Sequence, residues 1–240
     1  RHALLRDAAY DMQLTSRRRA LHHLAADTLL ADCPQEAPSF SRLAEVAYHY
    51  DQADMPDAAS EYYGQAGEWA SREYFNDQAI AYYGRAIDLQ PAIDKDPVRY
   101  RLLLGREAVY QLLGRREEQR NDLVELETIL SRVPDASRRA EVSLRQAGLA
   151  LTLGDYESGV SWAKQSALAA METGDREAEA KAYHRLGRAY WQQGHAHEAE
   201  PVLQRALELS RLIDNPQEIA ECLYDLGVVR HYQGHYETAR

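Results

Sequence analysis

Histidine is the residue type with the clearest capacity for chemistry in this sequence. His231 and His235 stand four residues apart, a spacing that can place two imidazoles on one helix face for a metal ion. His195 and His197 occur about one repeat earlier in the chain. Gly234 is expected to break the helix between the first two, and adjacent turns lie about 10 Å apart, whereas metal–ligand bonds measure about 2 Å. We therefore predict no metal and no cofactor at these histidines.

Other catalytic arrangements find no support in the sequence. No serine lies in the strand–turn–helix elbow that activates a hydrolase nucleophile. No Gly-x-x-x-x-Gly-Lys-Ser/Thr loop is present to bind a nucleotide phosphate. The carboxylates fall at spacings suited to solvation and to i,i+4 pairing on helix exteriors. The sequence predicts a protein that is not an enzyme.

Composition and charge limit the partners. The chain has 240 residues, 45% of them hydrophobic, and a net charge of −10. An acidic chain lacks the basic footprint of nucleic-acid binding, and we interpret the run Arg17–Arg19 as a solvated helix face or a domain contact. No apolar run of about 18 residues and no secretory leader occur. Cys33 and Cys222 are too far apart to indicate a disulfide framework or a zinc site. We expect a cytoplasmic protein with neither a nucleic-acid nor a membrane partner.

The elements that must position any site repeat every 40 residues. Glycine recurs in one column of positions: Gly114, Gly154, Gly194 and Gly234. Mostly small residues form a second column in step with it: Ala79, Gln119, Gly159, Ala199 and Ala239. A fixed period of this length indicates a stacked array, because each unit is too small to bury its own apolar face.

Each repeat is predicted to be a pair of helices. Between residues 180 and 219, apolar residues recur at helical spacing on both sides of Gly194, which we expect to end the first helix with left-handed backbone. Gly187 and Ala199 lack bulk, so the two helices can cross closely at that point.

The boundaries between repeats carry capping signals. Asn215 and Pro216 are typical of an N-cap followed by proline at the first helical position, with Glu218 reaching back to the cap. Asp135 and Asp175 occupy the same place in the preceding repeats.

These residues together resemble the tetratricopeptide repeat, whose pattern is a large apolar residue, Leu-Gly, Tyr, then Ala, an apolar or aromatic residue, Ala and Pro. The best single match comprises Tyr63, Gly67, Ala79, Tyr83, Ala86 and Pro91. Residues 180–219 match at Leu186-Gly187 and Tyr190, and residues 220–240 match at Leu226-Gly227 and Gly234. The resemblance implies an all-α, right-handed superhelical solenoid of antiparallel helix pairs.

We divide the array, residues 36–240, into units at about 40–59, 60–99, 100–139, 140–179, 180–219 and the truncated 220–240. The unit at 100–139 matches worst, because Glu107 and Gln119 stand where two small residues should meet. Either its helices lie farther apart or its register differs.

Residues 1–35 do not fit the repeat. This segment resembles a junction in multidomain bacterial ATPases, where a helical repeat arm follows a nucleotide-hydrolysing module. The residues that match the junction are His2, Ala8, Tyr10, Arg17, Arg19, Leu21, His22 and Ala25. The resemblance implies that the chain is a piece of a larger signalling protein, with its ATPase upstream.

The resemblance also implies where a ligand would bind, because the first helices of successive units line the inner groove of such arrays. The residues expected at exposed groove positions are Arg145, Lys181, His184, Arg185, Arg188, Trp191, Tyr224 and His231. Cations among aromatic rings suit an acidic peptide terminus, an anionic ligand or a stacked sugar ring. Lys181 and Arg185 match two cations of the family's carboxylate clamp, but the rest of that clamp does not appear.

Three functions follow from these patterns. The first is a non-catalytic arm that binds a protein or peptide partner, or other domains of its parent chain, in the groove. The second is a sensor of a sugar-like or anionic small molecule. The resemblance to ATPases implies this function, because the maltose-responsive activator of that class takes up a sugar in its helical repeat arm. The third is self-association through the apolar ends of the array.

Overall fold

The structure, a computed structural model, describes residues 12–31, 39–90 and 96–234. Across these residues the chain forms eleven α-helices and no strand, so the predicted all-α class of antiparallel helix pairs is confirmed. None of the helices in the described ranges combines the length and apolar character needed to cross a bilayer. The chain divides into two compact units, residues 1–122 and 123–240.

The first unit stacks its helices in chain order. They are α1 (Thr15–Ala31), α2 (Phe40–Gln52), α3 (Pro56–Arg72), α4 (Asn76–Asp88), α5 (Asp96–Leu113) and the first residues of α6 (Arg116–Arg132). Each helix from α1 to α4 packs against the next, and α3 also touches α5, the first helix of the following pair. In a repeat array each helix pair contacts only the pairs next to it, and these contacts follow that pattern.

Helix α1 packs against α2 through polar contacts as well as apolar ones. The Tyr50 hydroxyl donates to Asp27 Oδ1 at 2.9 Å, and Arg19 forms an ion pair of 2.9 Å with Asp54. The division between a junction segment and the array at residue 35 stays a prediction. Three of the residues that carried the ATPase resemblance lie outside the described ranges: His2, Ala8 and Tyr10.

The second unit repeats the same arrangement. After the rest of α6 come α7 (Ala136–Thr152), α8 (Tyr156–Thr173), α9 (Arg176–Gln192), α10 (Ala196–Leu212) and α11 (Pro216–Tyr232). Each helix from α7 to α10 packs against the next, and α9 also touches α7 on one side and α11 on the other. The helices run 17 or 18 residues, which accounts for the long repeat.

The glycine column ends the first helix of each pair, as predicted. Its members have positive φ: 71° at Gly114, 77° at Gly154, 84° at Gly194 and 82° at Gly234. At Gly194 the chain closes the helix with a hydrogen bond from the His195 amide to the Tyr190 carbonyl. Tyr74 occupies the same column forty residues before Gly114 and has a φ of 62°. The repeat therefore continues into α3, where glycine is replaced.

The small residues allow close helix crossings, also as predicted. A Cβ added to Gly187 would lie 2.5 Å from Leu203 Cγ, and Ala199 beside it is fully buried. A Cβ on Gly67 would lie 3.0 Å from the Tyr83 ring, and Ala79 is fully buried. Gly159 contacts a different partner, because a Cβ added there would meet the Leu151 side chain. Gly227 lies on α11, and Ala239, its expected partner, is outside the described residues.

The predicted N-caps are confirmed, with one correction. The side chains of Asp135, Asp175 and Asn215 each accept an amide hydrogen bond from the first turn of the following helix. Glu218 does not reach back to Asn215, whose amide donates to the Ser210 carbonyl instead. The Glu218 carboxylate turns toward His184 on α9 because that side chain offers a closer charged partner.

Candidate functional site

The residues predicted to form the groove all lie on three helices of the second unit. These helices, α7, α9 and α11, begin successive pairs, and α9 touches the other two. We call the surface that they form the first-helix wall. Helical periodicity puts residues 181, 184, 185, 188 and 191 on adjoining faces of α9, within reach of both neighbours.

His184 is the central polar residue of this wall, and the expectation that it is exposed was wrong. Its side chain is 2% exposed because α11 covers it. Nε2 lies 2.7 Å from Asp225 Oδ2, in a hydrogen bond. Nδ1 lies 2.8 Å from Glu218 Oε1 and 3.8 Å from Glu221 Oε2. Three carboxylates of α11 thus surround one imidazole of α9.

The carboxylates decide the charge of this histidine. Burial alone would lower the pKa of His184, but the contacts with Asp225 and Glu218 outweigh it and raise the pKa above its usual range. The same contact with His184 holds the pKa of Glu218 below its ordinary value. Glu218 Oε1 is buried and has no aligned hydrogen-bond donor among the described residues, so its contact with Nδ1 is an ion contact.

Arg185 and Arg188 put two guanidinium groups beside this cluster. Burial of Arg185, reinforced by the charge of Arg188, lowers the pKa of the Arg185 guanidinium. Within residues 12–31, 39–90 and 96–234, Arg185 makes no ion pair or hydrogen bond. Arg188 Nε lies 3.6 Å from Asp225, so its contact with a carboxylate is loose. A half-buried cation whose guanidinium touches no carboxylate among these residues, and that feels Glu218, Glu221 and Asp225 only at longer range, is suited to an anion from outside the chain.

The other predicted cations are occupied within their own helices. Lys181 Nζ lies 2.6 Å from Glu177, one turn earlier on α9. Arg145 on α7 pairs with Glu141 at 3.1 Å. An exposed i,i+4 pair such as Lys181–Glu177 is weak, about 0.3–0.5 kcal/mol, and can be exchanged for a ligand at little cost.

The aromatic residues form a cleft at the C-terminal ends of α9 and α11. The rings of Trp191 and Tyr232 stand 5.9 Å apart, and the cleft beside them measures about 570 Å³. It is lined by Tyr156, Trp191, Gln192, Gly194, Ala196 and Tyr232. Gln192 Oε1 is buried without a donor in the part of the chain described. His231 is exposed and meets the edge of Tyr232, while Tyr224 is 72% exposed on α11.

Sequence reasoning missed the residues of α11 that engage His184. Glu218, Glu221, Cys222 and Asp225 follow one another at intervals of three, one and three, which is a single stripe on that helix. That spacing was available as a signal. Carboxylates on a helix are usually exposed, so the stripe alone does not predict that they enclose a buried histidine.

Comparisons with known proteins agree with this architecture. Residues 138–212 match the tetratricopeptide repeat family. No curated protein matches the sequence. Among solved structures, BtubC (BKLC) from P. vanneervenii is similar with a TM-score of 0.68 and 15% identity, over 95% of this chain and 87% of that one. The apo form of RapI is similar with a TM-score of 0.69 and 15% identity, over 95% and 74%.

A third similar structure is YrrB, described as a TPR protein with an unusual peptide-binding site. It has a TM-score of 0.54 and 17% identity, over 82% of this chain and 88% of that one. Identities this low bear on the fold alone. The family match and these likenesses support a tetratricopeptide-type array, the kind of fold associated with protein–protein interaction.

Proposed function

We propose that the chain is a non-catalytic interaction arm of a larger cytoplasmic signalling protein, and that its first-helix wall binds an acidic peptide or protein segment. The segment belongs either to a partner or to another domain of the parent chain. The ATPase-like junction near the N-terminus is the motivation for placing the arm in such a protein.

One observation carries the proposal more than any other. Arg185 is a half-buried guanidinium on the wall that makes no hydrogen bond or ion pair with a carboxylate among the described residues; it feels Glu218, Glu221 and Asp225 only at longer range, and Arg188 stands beside it. Burying an unpaired charge is costly, so proteins rarely keep one without a use. A ligand carboxylate can accept two parallel N–H bonds from such a group, which gives affinity and orientation together.

The aromatic cleft suggests what accompanies the acidic group. Trp191 lies two turns beyond Arg185 on α9, and a cleft of about 570 Å³ opens between it and Tyr232. A peptide that places a carboxylate at Arg185 and a large apolar side chain in the cleft would use both features. YrrB, which shares the fold, is described as having a peptide-binding site, and this likeness favours a peptide over other ligands.

The test uses an array of acidic peptides with free C-terminal carboxylates, screened against the chain and followed by fluorescence polarisation on the tightest binder. Arg185→Ala and Arg188→Ala should each weaken binding at least about tenfold, which corresponds to about 1.4 kcal/mol. Trp191→Ala should weaken it as well. Arg211→Ala is the matched control, since Arg211 is an exposed arginine on α10, outside the wall. Absence of any bound peptide, or binding unchanged in all three wall variants, would remove the wall as the binding surface.

The cleft favours a second candidate function, the sensing of a small molecule. Its volume is within the range of ligand pockets, and its aromatic walls suit a sugar ring. A thermal-shift screen of sugars and anionic metabolites separates the two functions. A ligand present at 100 times its dissociation constant adds about 2.7 kcal/mol to the free energy of unfolding. If no small molecule raises the melting temperature, the peptide function is favoured.

A further inference from the structure

The cluster around His184 contains a set of metal ligands that the proposed peptide-binding function does not use. One ligand atom from each of His184, Glu218 and Cys222 lies within 4.8 Å of the other two, and all three residues are buried. His184 comes from α9, whereas Glu218 and Cys222 stand four residues apart on α11 and so share a face. We propose that these three residues form a binding site for a divalent metal of the zinc class, which would join α9 to α11.

The ligand atoms are of the kind that zinc prefers. Imidazole nitrogen, thiolate sulfur and carboxylate oxygen are its ordinary protein ligands, usually in tetrahedral sites. The Glu218 oxygen is more than nine-tenths buried and has no aligned hydrogen-bond donor among the described residues, so its lone pairs remain available. An open acceptor aimed at a histidine and a thiol is a reason to expect a cation there.

The other ring nitrogen of His184 has the partner expected of a metal-binding histidine. A histidine that binds a metal usually donates its other ring N–H to a carboxylate, which fixes the ring and makes it a better ligand. Asp225 Oδ2 occupies that place, 2.7 Å from His184 Nε2, and leaves Nδ1 beside Glu218 Oε1 at 2.8 Å. Glu221 Oε2, 3.8 Å from Nδ1 and half exposed, is close enough to supply a fourth ligand from the solvent side.

The charges around the cluster favour a divalent ion. Glu218, Glu221, Asp225 and the Cys222 thiolate carry four negative charges, while Arg185 and Arg188 carry two positive ones. An ion of charge +2 therefore makes the ensemble neutral, with His184 in its uncharged form. Without metal, burial raises the pKa of the Cys222 thiol to about 12, so the incoming ion must displace the thiol proton to solvent, and with it the Nδ1 proton of a charged His184.

Only a small movement is needed to bind the ion. Bonds of about 2.0–2.1 Å place two tetrahedral ligand atoms about 3.3 Å apart. The Nδ1–Oε1 separation is 2.8 Å, so the two atoms must part by about half an ångström. Rotation of the Glu218 side chain, in the first turn of α11, increases the Nδ1–Oε1 separation by this amount.

The experiment titrates the full 240-residue chain with Co²⁺, whose thiolate complexes absorb in the near ultraviolet, and then displaces it with Zn²⁺. We expect one equivalent of Co²⁺, the thiolate charge-transfer band, and a higher melting temperature with Zn²⁺. Cys222→Ala should abolish the band. Glu218→Gln, which preserves side-chain size, should weaken metal binding at least about tenfold, in line with the loss of a ligand or its support.

Two control variants keep the result decisive. Cys33→Ser should retain the band, which assigns it to Cys222, and His197→Gln should retain affinity, since His197 is an exposed histidine on α10. Far-ultraviolet circular dichroism shows whether each variant is folded. If Cys222→Ala does not fold, the metal affinity of Glu218→Gln tests the site. No uptake by the wild-type chain would overturn the site, as would uptake that survives Glu218→Gln or depends on His197. The outcome is independent of peptide binding.

Discussion

Gln119 and Glu107 form a hydrogen bond of 2.7 Å between two fully buried side chains, with the Gln119 amide donating to Glu107 Oε1. They meet where other repeats bring two small residues together, such as Gly187 and Ala199. The register of the repeat at residues 100–139 is therefore kept, and a polar pair replaces the small one. Arg116 adds a hydrogen bond of 3.0 Å to the carbonyl oxygen of the Gln119 amide.

The first prediction concerns this pair. Gln119→Ala should lower the free energy of unfolding by about 1–3 kcal/mol, because it removes a donor from a buried acceptor. The double variant Glu107→Ala/Gln119→Ala should lose at least about 0.5 kcal/mol less than the sum of the single variants, since each single variant already breaks the hydrogen bond that joins the two side chains. Urea unfolding followed by circular dichroism measures both. Glu118→Ala, an exposed glutamate on the same helix, is the control, and additive effects in the double variant would contradict the coupling.

The second prediction uses Tyr74, which adopts left-handed backbone in the column where glycine otherwise stands. Its side chain is 76% exposed, so little packing is lost on its removal. Tyr74→Gly should raise the free energy of unfolding by about 0.5–1 kcal/mol, since a residue with a Cβ pays about 1–2 kcal/mol in that conformation.

Gly114 supplies the reverse experiment at the next position of the column. A Cβ there would meet no atom within 4 Å, yet the φ of 71° strains any other residue. Gly114→Ala should therefore cost about 1 kcal/mol, through the backbone alone. Thermal unfolding of Tyr74→Gly and Gly114→Ala measures both effects. Destabilisation by Tyr74→Gly would mean that the ring contributes more than its exposure indicates.

These backbone features were predictable because they depend on local sequence. Gly194 ends a helix through its own conformational freedom, and Asp175 caps one through a side chain two and three residues from the amides that it accepts. Because the sequence repeats every 40 residues, the same local signals recur in each repeat. The fold class and most helix ends follow from such signals.

The interior of the candidate site was not predictable in the same way. His184 falls on a groove-facing stripe of α9, and the period places it correctly on that helix. Its burial depends on how far α11 approaches and on which carboxylates of α11 turn inward. Glu218 could cap its own helix or contact His184, and only the packing of the two helices decides between them.

The third prediction tests the close crossing of α9 and α10. Gly187→Ala should lower the free energy of unfolding by about 1–3 kcal/mol, because the new Cβ would lie 2.5 Å from Leu203 Cγ in a buried contact. Gly148→Ala is a matched control inside α7, where a Cβ would meet no atom within 4 Å. That change should instead stabilise the chain by about 1 kcal/mol through helix propensity. Equal effects of the two substitutions in denaturant unfolding would show that the helices cross farther apart.

The fourth prediction concerns acid sensitivity where α1 meets α2. His22 Nδ1 lies 2.8 Å from His49 Nδ1, and the Tyr48 ring stands at its edge. Burial lowers the pKa of His22 from its ordinary 6.5, and the charges of His49 and Arg18 lower it further. Below about pH 6.5 the unfolded chain therefore binds a proton at His22 more readily than the folded chain does, and stability falls as the pH decreases.

Thermal unfolding between pH 5 and pH 8 measures this dependence. The melting temperature of the wild-type chain should decrease below about pH 6.5, and His22→Gln should reduce the slope because it removes the titrating group while it keeps a polar side chain at the contact. His197→Gln, at an exposed histidine on α10, should leave the slope as it is. A slope unchanged in His22→Gln would place the acid-sensitive group elsewhere. Loss of the slope in His197→Gln would place it in the second unit, away from the contact between α1 and α2.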